Sequence, residues 1–150
     1  MKIKIEIESL GNDGVHLFCK VKVNGLKCRA LIDTGASKTV ISRELSELLN
    51  LTDFISPADN QLTGIHPGEM EVTFAQIKKI AFKNLVFKNI LTGLIDIDHV
   101  KAQYTMLKIE PPLLILGGDI LNTGLAVIDY KNKVLKLQKP WNTFWDCHFL

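Results

Sequence analysis

The sequence predicts an all-β domain whose sheet closes into a barrel, carrying one or two short helices. Three observations predict it. Apolar residues recur with period two along most of the chain, the spacing of half-buried strands. An Asn24-Gly25 pair sits between two such runs and is the strongest short hairpin signal. Helical spacing is confined to two brief stretches, and a chain of many short strands manages its sheet edges best by closure.

Each element follows in order. Ile3, Ile5 and Ile7 alternate with Lys2, Lys4, Glu6 and Glu8, giving one apolar and one charged face. Val15 to Val23 and Leu26 to Ile32 form the hairpin about Asn24-Gly25, and its second strand delivers the chain to Asp33. That register sets Val21 opposite Cys28 and Cys19 opposite Ala30. The two cysteines share a face only diagonally, too far apart for an easy disulfide, and are expected to be reduced, half-buried small hydrophobes. Lys20, Lys22 and Lys27 are expected on the solvated face. Ser42 can cap a short helix with Leu45, Leu48 and Leu49 on its apolar side.

Residues 53–62 read as a loop into a second hairpin, whose return strand carries Met70, Val72 and Phe74 on one face. Ile77 to Phe82 and Leu85 to Leu91 read as strands joined near Lys83-Asn84. Leu114-Ile115-Leu116 is an apolar strand that runs through Gly117-Gly118 into a short helix, N-capped by Asp119 and ended by Gly124. Leu125 to Asp129 and Val134 to Leu137 make a final hairpin around Lys131-Asn132. The tail, about 138–150, holds Trp141, Phe144 and Trp145 and is too apolar to be left in water.

Composition bounds the function. With 150 residues, 47% of them hydrophobic, the chain is expected to be a single globular domain, 1–150. Eighteen Lys plus Arg against 16 Asp plus Glu leave a net charge of +2, which argues against a polyanionic partner. No nucleic-acid motif is present, and no apolar run is long enough to cross a membrane. Met1 to Glu8 lacks the apolar core of a signal peptide, so a cytoplasmic protein is expected. Three cysteines without metal-type spacing, and histidines at 16, 66, 99 and 148 without ligand spacing, imply no metal and no cofactor. Gly117-Gly118 lacks the Lys-Ser/Thr of a phosphate loop, and Cys147-His148 has no catalytic context around it.

The chemistry concentrates in Asp33-Thr34-Gly35-Ala36-Ser37, a carboxylate on a tight loop at the end of a strand. Paired with Leu114-Ile115-Leu116-Gly117-Gly118-Asp119, it resembles the retropepsin family, single-domain aspartic peptidases of retroviral type. In that family an apolar-apolar-Gly strand packs beside the Asp-Thr-Gly loop of the same subunit. The match is ordered and runs from about Val15 to Leu137, and the resemblance is to a non-viral, bacterial-type member of the family. Gly64-Ile65-His66-Pro67-Gly68 is similar to the flap tip, with the flap at about 60–74, and Glu110-Pro111-Pro112-Leu113 stands where a substrate-pocket loop belongs.

The resemblance implies an acid-protease barrel and an aspartic endopeptidase acting on peptide or protein. It implies Asp33 as the catalytic acid, with Thr34 bonding across a dimer axis and Gly35 allowing close backbone approach. Ala36 and Ser37 complete the loop, Ser37 as a hydrogen-bonding group. Gly64, Ile65, Leu113 and Ile115 would contact substrate, and Gly117 is the structural glycine. Against retroviral enzymes the segment Leu94 to Glu110 is long, which implies an insertion or added strand. An acidic residue at Ser37 and an Arg at Gly118 are missing together, which implies a loop braced differently.

Hydrolysis by carboxylates needs one group to take a proton from water while another holds a proton for the carbonyl. One aspartate cannot do both. Asp13, Asp96 and Asp119 lack the following Thr-Gly, so a catalytic chain must be a homodimer with Asp33 and its mate on the two-fold axis. Two carboxylates about 3 Å apart repel by roughly 5 kcal/mol at an effective dielectric near 20, and so retain one proton between them. The alternative is a non-catalytic module that keeps the fold to dimerise or to clamp an extended peptide.

Overall fold

The computed structural model describes residues 1–55 and 73–139. The expected flap tip, with Gly64 and Ile65, and residues 140–150 of the tail lie outside the described residues. Ten strands form one sheet: β1 Lys2–Ser9, β2 Val15–Val23, β3 Leu26–Ile32, β4 Val40–Ser42, β5 Phe54–Ile55, β6 Thr73–Phe82, β7 Leu85–Ile95, β8 Leu114–Leu116, β9 Val127–Asp129 and β10 Val134–Lys136. Their order is β5-β6-β7-β4-β8-β3-β2-β1-β10-β9. A further pairing of β2 with β6 closes the six strands from β6 to β2 into a barrel.

The local signals act as their chemistry requires. Asn24 and Gly25 both take positive φ, 48° and 96°, the conformation a two-residue hairpin needs, and β2 and β3 pair in the register expected, Val21 with Cys28 and Cys19 with Ala30. Both cysteines are free and buried rather than half-buried, and burial pushes each thiol up to about 12. Ser42 caps helix α1, Arg43–Leu48, its hydroxyl accepting from the Leu45 amide at 3.1 Å. Leu45 is fully buried, but Leu48, the last residue of the helix, is 54% exposed.

The barrel interior is apolar and continuous. Ile3 and Ile5 of β1, Val21 and Val23 of β2, Ile77, Ile80 and Phe82 of β6, Leu114 and Leu116 of β8 and Leu135 of β10 share one core. Each such side chain contributes roughly 1.5–3 kcal/mol by leaving water. Outside the barrel wall, Phe18, Leu31 and Tyr104 form a second, smaller cluster.

That outer cluster accounts for the Leu94 to Glu110 segment, expected to be an insertion or an added strand, which holds a helix rather than an added strand. After β7 the chain forms helix α2, Asp98–Met106, so the described residues hold three helices rather than one or two. Tyr104 is the residue of α2 that docks, with its ring edge-on to Phe18 at 5.8 Å between centroids and its hydroxyl 2.6 Å from His16 Nδ1. The pattern was illegible because α2 presents one buried aromatic among polar and exposed residues, too little apolar face to register as a period.

Arg29 holds the same outer face together. Only 7% exposed, it pairs with Glu6 at 3.0 Å and Glu8 at 2.8 Å, donates to the Glu110 carbonyl at 2.5 Å and lies over the Phe18 ring at 3.8 Å. A buried guanidinium left unpaired would be strongly destabilising; here two carboxylates, a carbonyl and an aromatic face compensate it.

Candidate active site

The loop carrying Asp33 joins β3 to β4, and those two strands are not neighbours. Strand β8 lies between them, parallel to β3 and antiparallel to β4. The loop Asp33–Thr39 therefore passes over the end of β8. Its seat is the stretch that β8 feeds, Gly117 and then helix α3, Gly118–Thr123.

Backbone bonds stitch the two together. The Asp33 amide donates to the Leu116 carbonyl at 3.1 Å, extending the β3–β8 ladder into the loop. In return the Gly118 amide donates to the Ala36 carbonyl at 2.7 Å and the Asp119 amide to the Ser37 carbonyl at 3.2 Å. These two donors lie in the first turn of α3, where helical amides have no partner within the helix, so each contact satisfies both sides.

Gly117 is demanded by space. A Cβ at that position would stand 2.4 Å from the Lys38 carbonyl carbon and 2.8 Å from the Thr39 nitrogen, both backbone atoms. No side chain fits without moving the loop. Gly118 is less constrained, since a Cβ there would meet the Ala36 oxygen at 3.4 Å.

Sequence reasoning missed the side-chain half of this seat. Asp119 is not the N-cap of α3; that position is Gly117, in extended conformation and without a side-chain cap. The Asp119 carboxylate instead reaches across to Thr39, accepting from its amide at 2.9 Å and from its hydroxyl at 2.6 Å, and from the Ile120 amide at 2.8 Å. The Thr39 hydroxyl in turn accepts from the Gly117 amide at 3.1 Å. Thr39 is fully buried, so its polar atoms must be satisfied internally, and Asp119 is what satisfies them. A buried hydroxyl at the head of the apolar run Thr39-Val40-Ile41 was the available signal. These bonds hold the loop without an acidic residue at Ser37 or an Arg at Gly118.

Asp33 itself is presented differently. Its side chain is half-buried, and one carboxylate oxygen accepts from the Gly35 amide at 2.9 Å. That bond curls the loop so that Thr34, Gly35 and Ser37 are exposed and Ala36 is half-buried. Thr34 opens on a shallow groove of about 520 Å³ whose walls are mainly Leu121, Leu125, Ala126 and Ile128, with Gly118 at its edge.

The remaining expected positions are spread. Leu113 is partly buried against the barrel core. Ile115, between the core residues Leu114 and Leu116 of β8, points away from that core by alternation and packs against the Phe18–Leu31–Tyr104 cluster. The structure thus brings Asp33, Thr34, Gly35, Ala36, Ser37 and Gly117 together and places Ile115 on the outer wall. Among the described residues, no three His, Cys, Asp or Glu side chains converge as metal ligands, and no helix is long and apolar enough to cross a membrane.

Residues 19–120 match the model of the aspartyl protease family, a span that holds the Asp33 loop, β8 and the start of α3. The chain belongs to that family. Among curated members, DNA damage-inducible protein 1 of Kluyveromyces lactis is 30% identical over 122 residues, covering 81% of this chain and 26% of the yeast protein. Protein DDI1 homolog 2 of Homo sapiens is 26% identical over 122 residues, with 81% and 27% covered. The chain thus spans about a quarter of the length of these relatives. Among solved structures, a retropepsin-like aspartic protease from Rickettsia conorii superposes with a TM-score of 0.53 at 20% identity, covering 90% of each chain. The retroviral protease-like domain of Ddi1 from Leishmania major gives 0.51 at 17% identity, covering 80% of this chain and 86% of that one. The fold is retropepsin-like.

Proposed function

We propose that this aspartyl protease family member is an aspartic endopeptidase that works as a homodimer, with Asp33 of each subunit forming the catalytic dyad. The observation that carries this reading is the contrast within one loop: the Asp33 amide and the Ala36 and Ser37 carbonyls are braced on β8 and α3, while the Asp33 carboxylate is left partly exposed. A loop whose role were only structural would have no use for a rigidly presented acid. The exposed Thr34, beside a groove walled by Leu121, Leu125 and Ile128, favours association of a second copy across this face.

In the dimer the ionised carboxylate takes a proton from a shared water as its oxygen attacks the scissile carbonyl carbon. The protonated partner gives its proton to the carbonyl oxygen. Collapse of the tetrahedral species breaks the C–N bond, with a proton passing to the leaving nitrogen, and no acyl-enzyme forms. Repulsion between two close carboxylates keeps one proton on the pair over a wide pH range.

The test is cleavage of a mixed-peptide pool from acidic to neutral pH by wild type and by Asp33→Asn, together with sedimentation velocity. Cleavage by the wild type alone, from a dimeric species, is the expected result. A folded, dimeric protein that cuts nothing across that range would favour the peptide-clamping module instead.

A further inference from the structure

The net charge of +2 conceals an uneven distribution. On β2 and β3 the inward positions are Val21, Val23, Cys28 and Ala30, so Lys20, Lys22 and Lys27 face outward, all exposed. Lys22 and Lys27 are directly opposite, a like-charge cross-strand pair that costs stability. The pattern repeats next door, where Lys79 of β6 is paired with Lys88 of β7.

These strands adjoin. Lys22 pairs with Ala81 of β6, and the Asn24 amide and side chain bond the backbone of Lys79 at 2.9 and 3.0 Å. Lys83, at the β6–β7 turn, reaches the Lys2 carbonyl at 3.4 Å and draws the start of β1 into the same region, where Lys4 shares the outer face with Lys20. Seven lysines, at positions 4, 20, 22, 27, 79, 83 and 88, thus collect at one end of the barrel, and the rest of the chain is net acidic. Among the described residues no carboxylate lies within ion-pair range of Lys22, Lys27, Lys79 or Lys88. Glu6 and Glu8, the nearest acids on β1, are engaged by Arg29.

From this placement we propose that the lysine-rich end of the barrel docks on an anionic lipid bilayer. Four features favour a bilayer over nucleic acid. The charges are all lysines, which act as point charges on headgroups, and the one nearby arginine is consumed internally. No exposed aromatic side chain of β2, β3, β6 or β7 offers a stacking platform for bases. The outer wall of a barrel is convex, which suits a flat, laterally mobile surface better than another convex rod. The centre of the patch is apolar, with Val86 43% exposed opposite Ala81, as in segments that settle into the headgroup layer. The geometry also keeps Asp33 clear of the surface, because Lys27 and Asp33 stand at opposite ends of β3, about 20 Å apart at the rise of an extended strand.

The experiment is co-sedimentation of the full chain with vesicles of phosphatidylcholine alone and of phosphatidylcholine mixed with phosphatidylserine. The variants are Lys22→Glu with Lys79→Glu, which turns both like-charge pairs into opposite-charge pairs and so preserves folding, and Arg43→Glu with Lys108→Glu as a charge-matched control on α1 and just after α2. Wild type and control are expected to pellet with the anionic vesicles at about 0.1 M salt and to be released near 0.5 M. The Lys22/Lys79 variant should bind at least about tenfold more weakly, with an unchanged or higher melting temperature. Equal pelleting on neutral vesicles, equal loss in the control, no vesicle binding at all, or tighter capture by a DNA or RNA oligonucleotide than by vesicles would each overturn the proposal.

Discussion

Asp33 and Asp119 follow two strands that lie side by side, β3 and β8, and the fold puts them to opposite uses. Asp119 accepts three hydrogen bonds, two of them from the fully buried Thr39, and serves as a fixed part of the wall. Asp33 accepts from the Gly35 amide on its own loop and remains partly exposed. One Asp119 oxygen meets three donors and is fixed in place, whereas the Asp33 carboxylate meets a single amide and stays open to a further partner. The seat is therefore built from the same chemical group as the tool, and what separates them is how many donors each meets.

Removing the tool should leave the seat intact. Asp33→Asn is expected to lower the cleavage rate by at least about a thousandfold while the thermal midpoint stays near the wild-type value, measured on the same preparation. The reverse holds for the seat. Gly117→Ala forces a Cβ into the Lys38–Thr39 backbone and should destabilise the fold by about 3 kcal/mol in urea titration; a loss near zero would mean the loop shifts freely and the bracing account is wrong. Asp119→Ala strips Thr39 of its acceptor and is expected to cost about 2 kcal/mol, with activity falling because the loop is no longer held. At the outer wall, on the opposite side of the sheet from the barrel core, Tyr104→Phe removes the hydroxyl at His16 and should cost about 1 kcal/mol with unchanged catalysis. The smallest effect concerns a third aspartate. The Asn132 side chain and amide, together with Lys136, hold Asp129 down to about 2, below its ordinary value of 3.8. The stability it adds is present above about pH 4 and is lost as the pH falls toward 2, so Asp129→Asn should flatten that part of the acid-unfolding curve.

Most of the barrel was legible because its signals are local. Asn24-Gly25 specifies its own turn, Ser42 its own cap, and alternation along β2 and β3 assigns faces without reference to the rest of the chain. The Asp33 loop was legible as composition: Asp33, Thr34 and Gly35 in one place, an apolar strand and Gly117 in another. What tied them was not, because the bonds from Asp119 to Thr39 join residues 80 positions apart and depend on β8 lying between β3 and β4. An aspartate just inside a short helix reads as a cap from sequence, since local geometry cannot reveal a hydroxyl arriving from elsewhere. Helix α2 escaped for a related reason: its buried aromatic residue, Tyr104, meets a surface made by Phe18 and Leu31.

The threading of β8 between the two strands that the Asp33 loop connects has a consequence for biosynthesis. Everything up to β7 can emerge from a ribosome and pair locally, yet the perch for the reactive acid is still missing. Only when the segment from Leu114 to Thr123 is in place do the Asp33 amide and the Ala36 and Ser37 carbonyls have their partners, a long-range pairing of the kind that forms slowly. A nascent or truncated chain ending before that point carries Asp33-Thr34-Gly35 in full but lacks the strand and helix turn that seat the loop.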